Sequence, residues 1–456
     1  MKIKIPVNNE NLFRSAIAVL ALVFLFTGIW SFVRTNPGVD YYISWIGVMS
    51  VREQKCVNFY ETEKGVQIRE SFHRRSLGKG VPQRQKTVAQ CWQDYEKIFY
   101  SDQSPKNRLP FFFNTPFLYT CMHLFIAGDY ERDITLYYLI QLACFILFIM
   151  IAMHLLNFSF VSIFYPAILF SVFYGPFLCN MTVGNVVLMQ LAFIALFLVF
   201  AHLVRKKDIG LLTGGAVLGL MVFFKPTMIF VPFMLLLRWL ALKQFRQAAL
   251  SFAGMMVGAI AAILSAAMFF STFHVWLWWF KSACDVSDLP YVTVKEGNYA
   301  LPKVLEEMYG MKNLSFAFSV ISLAVIIATA YSIRKKIPTT DPSAQPASPQ
   351  AETLLMISIG CLLYLLCAPL VWIHYYMLVL PAFMYLARPN AVNTGFTAGI
   401  IYSLTLMAYC SISFAGRPSG LSPVASAIAC NIGIICLISC LLWSWHSGYS
   451  NKTAQQ

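Results

Sequence analysis

The composition of this chain excludes a soluble globular protein. Of its 456 residues, 58% are hydrophobic and only 12% are charged, which leaves too few polar side chains to cover a surface in water. The formal net charge of +14 is also found in nucleic-acid-binding proteins, but here the lysines and arginines lie mostly in short clusters between apolar runs, as in the cytoplasmic loops of membrane proteins. We therefore predict an all-α polytopic membrane protein and no nucleic-acid partner. The apolar runs are too long and uniform for barrel strands.

The first predicted element is a membrane anchor, Ser15–Val33. It follows a basic segment, as a secretory signal would, but no small-residue cleavage site follows it, so we expect an uncleaved helix with a cytoplasmic N-terminus. The polar stretch 34–110 then forms a large first extracytoplasmic loop, because loops longer than about 60 residues escape the positive-inside rule. Cys56 and Cys91 could pair there in an oxidising compartment. The sequence has no CxxC motif, and so gives no support for a zinc site.

Further apolar runs of 14 to 23 residues predict the remaining spans. With the anchor they make a bundle of about 12 transmembrane helices. Basic clusters at every second connection define the cytoplasmic side, which places the turns at 184–185, 225–226, 271–313 and 372–374 on the outer side with Asp40. The predicted spans are Ile134–Leu156, Phe158–Leu178, Val186–Val204, Ile209–Phe224, Thr227–Leu240, Ala248–Phe270, Leu314–Ile333, Thr353–Leu370, Ile373–Ala387, Gly395–Phe414 and Ala425–Trp445.

Two segments interrupt this pattern. Phe111–Ala127 is apolar but short, contains Pro116, and would invert every later assignment if it crossed the membrane, so we predict a re-entrant or partial helix there, or an error of one span elsewhere. The segment 334–351 is rich in proline, serine and alanine and predicts a flexible cytoplasmic linker. That linker divides an N-terminal transmembrane module, 1–333, from C-terminal helices, 352–456.

Asp40 is the candidate catalytic residue. It lies seven residues beyond the first apolar run, where a helix end would fix it while water keeps it ionised, which suits a general base for a hydroxyl at the membrane surface. A solvated loop aspartate is the alternative. Tyr41, Tyr42 and Trp45 beside it could stack on a sugar or lipid head, although tyrosine and tryptophan are enriched at membrane interfaces in any case.

Two cationic candidates lie at later turns. Lys225 stands between two apolar runs, where burial at mid-membrane would cost roughly 2.5–3.5 kcal/mol, so it must reach water or an anion such as a lipid phosphate. Pro226 would present it at a turn, although a lysine that snorkels from a helix end fits the same sequence. His374, in the segment from Trp372 to Tyr376, could bind a phosphate oxygen or orient an acceptor, or be an incidental member of an aromatic belt.

Other polar groups offer weaker candidates. Arg417 could bind phosphate, though a lone interfacial arginine is usually structural. Asp129 and Asp133 are rival bases or metal ligands, or else parts of a solvated turn. The basic residues from Arg69 to Lys86 could contact anionic lipid heads or form a solvated surface.

Four motifs carry a resemblance to a known family. They occur in one order between about Asp40 and Pro381, and are Val39-Asp-Tyr-Tyr42, Gly184-Asn-Val-Val-Leu188, Lys225-Pro226 and Ala368-Pro-Leu-Val-Trp-Ile-His-Tyr-Tyr376. Together they resemble the motifs of glycosyltransferase family 87, which contains polyprenyl-phosphomannose-dependent α-mannosyltransferases and related arabinofuranosyltransferases of the GT-C fold. Two departures stand out: Tyr375 replaces a second histidine, and Asn185 replaces a glutamine.

The resemblance implies a GT-C-like fold and a membrane glycosyltransferase. A mannose-like sugar, or another hexose or pentose, would pass with inversion from a polyprenyl-phosphate donor to a hydroxyl of a glycan or lipid acceptor. The reaction would occur on the extracytoplasmic side, in a bacterial inner or plasma membrane. Asp40 would be the general base and His374 would bind the donor phosphate or assist the acceptor.

This chemistry needs few groups. A lipid phosphate is already a competent leaving group, so the protein must supply a base, cations for the departing phosphate and a path for the lipid tail. Asp40 is the base, Lys225, His374, Asn185 and Arg417 are expected to bind the donor phosphate or substrate, and Trp372 and Tyr375 join the three aromatic residues beside Asp40 as sugar or acceptor contacts.

No cofactor is expected from the sequence, and a divalent metal is not required by it. The absence of a nucleotide-binding glycine loop or a DxD pair fits a lipid-linked donor. A lipid-linked sugar transporter or flippase, with its polar residues near the bilayer midplane, and a non-catalytic subunit of an envelope-assembly complex remain as alternatives. No internal repeat of fixed period is found, although many transporters are built from duplicated halves.

Overall fold

The protein is described here by a computed structural model. The described residues are 30–31, 33–55, 58–100, 112, 114–158, 175–286, 293–294, 297–310, 348–386, 388 and 422–450. Every regular element within these ranges is a helix, and one isolated β-bridge joins Asn298 to Trp372. The predicted all-α class is confirmed for this part of the chain.

The helices are numbered in chain order. Short 3-10 segments, Pro226–Ile229 and Ile373–Val379, lead directly into α9 and α14. The α-helices are α1 (Val39–Gln54), α2 (Thr62–Ser76), α3 (Gln83–Tyr100), α4 (Pro116–His123), α5 (Tyr130–Leu155), α6 (Gly175–Val183), α7 (Val187–Leu203), α8 (Lys207–Phe224), α9 (Phe230–Ala241), α10 (Phe245–Phe270), α11 (His274–Val286), α12 (Leu301–Tyr309), α13 (Pro349–Cys367), α14 (Leu380–Leu386) and α15 (Pro423–Ser450).

Five of the described helices are long and apolar enough to cross a membrane: α5, α8, α10, α13 and the part of α15 up to Leu442. Helices α6 and α7 together are also long enough, but they meet at an angle of 111°. The predicted character of a membrane protein is therefore supported by these helices. Several predictions lie outside the described residues: most of Ser15–Val33, most of Phe158–Leu178, Leu314–Ile333, the linker as far as 347, Gly395–Phe414, Cys56 and Arg417.

Two of the predicted spans are shorter than a full crossing. The segments Pro226–Ala241 and Ile373–Leu386 each begin as a 3-10 helix and are short apolar helices. At 1.5 Å per residue they reach only about 20–25 Å, less than the hydrocarbon core of about 30 Å. Complete crossings at these two segments therefore stay a prediction.

The partial helix predicted within Phe111–Ala127 is confirmed. Among the described residues of this segment, 112 and 114–127, the one helix is α4, which is eight residues long. Pro116 lies at the first helical position, where its missing N–H costs nothing, and not in the middle of a helix. Thr115 caps the helix by accepting a hydrogen bond from the Leu118 amide at 3.2 Å. The Thr115 hydroxyl also donates to the Phe224 carbonyl at 3.0 Å. This bond fixes α4 to the end of α8, next to Lys225.

Helices α8 and α10 touch through their backbones. A Cβ added to Gly215 would lie 2.2 Å from the Ser251 carbonyl oxygen, and one added to Gly258 would lie 2.0 Å from the Ala216 carbonyl oxygen. Small residues four apart on both helices allow this approach, the usual way in which helices pack closely within a membrane. The contact holds α8, whose last residue precedes Lys225, tightly against α10.

The large predicted loop is a packed helical layer. Helix α1 is buried from Tyr41 to Ser50 and lies against α2, α3, α4 and α6. Arg84 is buried and donates to the carbonyls of Asn36 and Val33. Arg69 is buried as well. A solvated or lipid-facing role was therefore wrong for Arg69 and Arg84, although Arg74 and Arg75 are exposed.

Candidate functional site

Asp40 lies in the first turn of α1, not in a solvated loop. Gly38 precedes the helix with φ of 68°, a left-handed conformation in which glycine is unstrained. The Asp40 side chain is part-buried, and its Oδ2 accepts a hydrogen bond of 2.8 Å from Asn185 Nδ2. Asp40 was expected just beyond the end of the anchor helix and in water, but it lies at the start of the next helix and is part-buried, so the expectation of free solvation was wrong.

The bend between α6 and α7 brings Asn185 to Asp40. Gly184, with φ of 71°, packs so closely on α1 that an added Cβ would lie 3.0 Å from Tyr41 Cβ and 3.3 Å from Gly38 Cα. Two side chains of α5 then hold the bend: Tyr137 donates to the Gly184 carbonyl at 2.8 Å, and Gln141 donates to the Asn185 carbonyl at 2.8 Å. The predicted Gly-Asn turn is thus a rigid element that positions an amide donor.

Lys225 follows the last residue of α8 and has an extended backbone. Its neighbour Pro226 begins the next 3-10 helix, so the chain turns at this lysine as the sequence predicted. Lys225 Nζ lies over the ring of Tyr375, 5.5 Å from its centroid, a cation–π geometry. Tyr375 therefore belongs to the site as a platform for the lysine.

His374 lies beside this platform. It is buried, its ring is 4.6 Å from that of Tyr375, and its Nε2 has no hydrogen-bond partner in the described part of the chain. Lys225 is near enough to act on it electrostatically. The thiol of Cys179, on α6, lies against the His374 backbone and interacts electrostatically with Asp40. The structure thus brings Asp40, Lys225 and His374 together, and adds Cys179, which the sequence did not single out.

The segment that carries His374 is held by a residue that sequence reasoning missed. Asn298 is fully buried. Its Oδ1 accepts from the Val371 amide at 2.9 Å, and its Nδ2 donates to the Pro369 carbonyl at 3.1 Å. The backbone of Tyr299 adds a bond to the Val371 carbonyl at 2.7 Å. Trp372, which is part-buried, is thereby fixed just before the 3-10 segment.

The three aromatic residues beside Asp40 are parts of the core. Tyr41, Tyr42 and Trp45 are buried, since they point into the layer formed by α1, α2 and α5. The Tyr42 hydroxyl donates to Ser76 at 2.9 Å, and the Trp45 indole donates to Asp133 at 3.1 Å. They offer no open face on which a sugar could stack, so the prediction of substrate contacts was wrong for all three.

The acids near 130 are structural. Asp133 is fully buried and also accepts from the amides of Ala127 and Gly128, at 2.9 and 2.8 Å. Asp129 is the N-cap of α5 and accepts from the Glu131 amide at 3.0 Å, which satisfies a free amide of the first turn. Asp133 is therefore neither a solvated turn residue nor a free base, whereas Asp129 is exposed at the turn before the helix, as the alternative of a solvated turn predicted. Within the ranges that the structure describes, no group of three or more histidine, cysteine or acidic side chains could hold a metal ion.

The two charged side chains of the site, Asp40 and Lys225, each affect the pKa of the other. Burial raises the pKa of Asp40, while the Asn185 hydrogen bond and the positive charge of Lys225 oppose that rise. Burial lowers the pKa of Lys225 to about 8, and the negative charge of Asp40 opposes that fall. Each charge therefore stabilises the other where water reaches them poorly. The group formed by Asp40, Cys179, Asn185, Lys225, His374 and Tyr375 is called the crevice below. Such a crevice can take up a proton at Asp40 and hold an anion at Lys225.

Comparisons with protein-family models, with curated proteins and with solved structures found no match. The argument for function therefore rests on the geometry of these side chains.

Proposed function

We propose that the protein is an integral-membrane glycosyltransferase that moves a sugar from a polyprenyl-phosphate donor to a hydroxyl of a glycan or lipid acceptor, with inversion. The observation that carries the proposal is the placement of Asp40, held by Asn185, in one crevice with Lys225 on its Tyr375 platform. A base and a cation at the ends of apolar helices are what transfer from a lipid phosphate needs.

The reaction assigns one role to each charge. Asp40 takes the proton of the acceptor hydroxyl as that oxygen attacks the anomeric carbon, and the bond from this carbon to the phosphate oxygen breaks with its electron pair on the lipid phosphate. Lys225 stabilises the phosphate charge as the lipid leaves. Burial brings the pKa values of the base and the cation toward neutrality, which favours proton transfer near pH 7.

The family and the location belong to the same proposal. The four motifs that resemble glycosyltransferase family 87 include every residue of the crevice named above except Cys179, and a GT-C-like arrangement would open this crevice to the extracytoplasmic side of a bacterial plasma membrane. His374 would then lie behind the donor phosphate. Because His374 is buried beside Tyr375 and Lys225, its suited role is to hold these two side chains in position.

One observation favours a second candidate, a transporter of lipid-linked sugars. The pair α6 and α7 is a broken apolar helix, bent by 111° at the residues that contact Asp40. Discontinuous helices whose ends meet at a polar site are typical of secondary transporters. The absence of a detected sequence repeat favours the enzyme.

The test compares the wild type with Asp40→Asn in detergent and in vesicles. We expect transfer of sugar from polyprenyl-phosphate donors to fall by a factor of about 10² to 10⁴ in the variant, the usual contribution of a general base, with donor binding retained. Asp94→Asn, at an exposed acid, is the matched control and should keep full activity.

The other outcomes decide between the candidates. Undiminished transfer by Asp40→Asn would remove this residue as the base. Movement of a fluorescent lipid-linked sugar across vesicle membranes, without transfer to any acceptor in a panel of glycans and lipids, would favour the transporter.

A further inference from the structure

Helix α11 has three distinct faces. Val275 and Ser282 are buried against the protein. Phe273, just before the helix, and Leu277 and Phe280 within it are exposed to 60%, 67% and 63%. Since successive residues are about 100° apart around a helix, these three side chains form a single strip, which we call the apolar strip.

A polar edge runs beside the apolar strip. His274 and Lys281 are exposed and lie about 80–100° around the helix from Phe273. One side of the exposed surface is therefore apolar and the other is basic. A helix with this arrangement separates an apolar medium from water along its length.

The length and attachment of α11 are inconsistent with a span. Its 13 residues reach about 20 Å, too short to cross the hydrocarbon core. It follows directly after α10, a candidate span whose last turns expose Leu264 and Met268 to 47% and 81%. The apolar strip thus continues an exposed apolar surface on a helix that is long enough to lie in lipid.

Contacts with the body fix α11 at the end of this span. The Trp276 indole donates to the Ile263 carbonyl at 3.5 Å, and its ring packs against Phe223, with centroids 5.3 Å apart. Ile263 lies seven residues before the end of α10, about 10 Å along the helix axis. The indole therefore reaches back along α10, and the two contacts together hold α11 against the end of this helix.

We propose that α11 is an in-plane membrane helix, whose apolar strip is immersed among lipid acyl chains while Lys281 and His274 reach the headgroups. The occupant of the exposed face is the bilayer itself. Two features favour lipid over a protein partner: continuity with the exposed face of α10, and a basic edge suited to lipid phosphates. The proposal does not depend on sugar transfer.

The position of α11 makes it relevant to the crevice. Phe223, on which Trp276 packs, is two residues before Lys225 in the chain. A helix seated in the lipid boundary at this point fixes the depth of the Lys225 turn near the headgroup level. A membrane-borne anion would then meet the lysine without crossing the acyl region.

The test reads the surroundings of single positions on α11 in the full chain. A parent with Cys91→Ser and Cys284→Ser, which removes two exposed thiols, receives Phe280→Cys or, one residue on, Lys281→Cys. Each protein is labelled with bimane in phosphatidylcholine vesicles, and the signal of the parent is subtracted. Quenching is measured with iodide in water and with lipids that carry a nitroxide either near the glycerol or near the methyl end of the acyl chain.

We expect the shallow nitroxide lipid to quench the label at 280 at least about twofold more than at 281, and iodide to show the reverse order. Leu277→Cys and His274→Cys repeat the comparison, so that failure of one variant to fold leaves a second pair. Stronger quenching by iodide at 277 and 280 would overturn the proposal, because the strip would face water. Protection from every quencher would overturn it in favour of a covering protein surface, and quenching by the deep nitroxide alone in favour of a membrane-crossing orientation.

Discussion

At the scale of single residues, the Asn185 amide partly offsets the effect of burial on the pKa of Asp40. Its hydrogen bond favours the ionised carboxylate, in opposition to burial. Asn185→Leu, of similar volume, removes this donor. We therefore expect the pKa of Asp40 to rise further, so that the carboxyl group stays protonated to a higher pH than in the wild type. Infrared titration of the protonated carboxyl band, assigned by its loss in Asp40→Asn, measures the midpoint directly.

The matched control is Gln190→Leu, which removes another buried amide that does not bond to Asp40 within the described residues. Its titration midpoint should stay at the wild-type value. A downward shift in Asn185→Leu would show that the amide stabilises the protonated form instead. Equal shifts in both variants would mean that packing, and not the hydrogen bond, sets the charge.

The residues of the crevice were predictable from the sequence to different degrees. Asp40, Lys225 and His374 could be found because each is a polar group beside apolar runs, and alternation of the basic clusters put them on one side. Asn298 could not, because it acts through hydrogen bonds to the backbone of residues 71 and 73 positions away, a contact that leaves no local pattern. Tyr41 could not be placed either, since a tyrosine near a helix end fits an interface and a core equally well.

At the scale of the helices, the glycine contact between α8 and α10 supports the position of Lys225. Gly258→Ala would put a methyl group 2.0 Å from a backbone oxygen, and only separation of the helices relieves that clash. We expect a loss of about 1–3 kcal/mol in stability, the usual cost of overpacking, measured as a lower midpoint of thermal unfolding in detergent.

The matched control for this substitution is Gly214→Ala. An added Cβ there meets the ring of Phe197 at 3.2 Å, a side chain that can move, so the midpoint should fall less. Equal effects at the two glycines would show that the close backbone contact contributes nothing of its own.

Helix boundaries followed from hydropathy where the backbone is continuous. The predicted Ile209–Phe224 and Ala248–Phe270 match α8 and α10 to within three residues at each end. Hydropathy also predicted the turn at 184–185 and the span Val186–Val204, which matches α7, but it could not give the angle of 111° at which α7 meets α6. It also does not distinguish 3-10 from α-helix, so the 3-10 segments that begin at Pro226 and Ile373 could not be predicted.

At the scale of the whole molecule, a buried ion pair joins the two parts of the chain on either side of the predicted linker. Arg238 on α9 donates to Glu352 on α13, with both side chains largely shielded from solvent. Helix α13 is the most buried of the candidate spans and packs against α9, α14 and α15. The contacts of α13 thus couple the C-terminal helices to the helix that follows Lys225.

This coupling predicts an asymmetric response to mutation. Glu352→Gln leaves the Arg238 guanidinium buried without its carboxylate, and we expect a loss of about 3–5 kcal/mol, seen as a lower unfolding midpoint in detergent. The double variant Arg238→Met with Glu352→Leu removes both charges, and because burying them carries a desolvation cost, it should unfold at or above the wild-type midpoint. If the double variant were as unstable as the single one, the charges themselves, and not only their pairing, would be needed to hold α9 on α13. In that case the crevice beside Lys225 would depend on an ion pair at the far end of the helix that follows it.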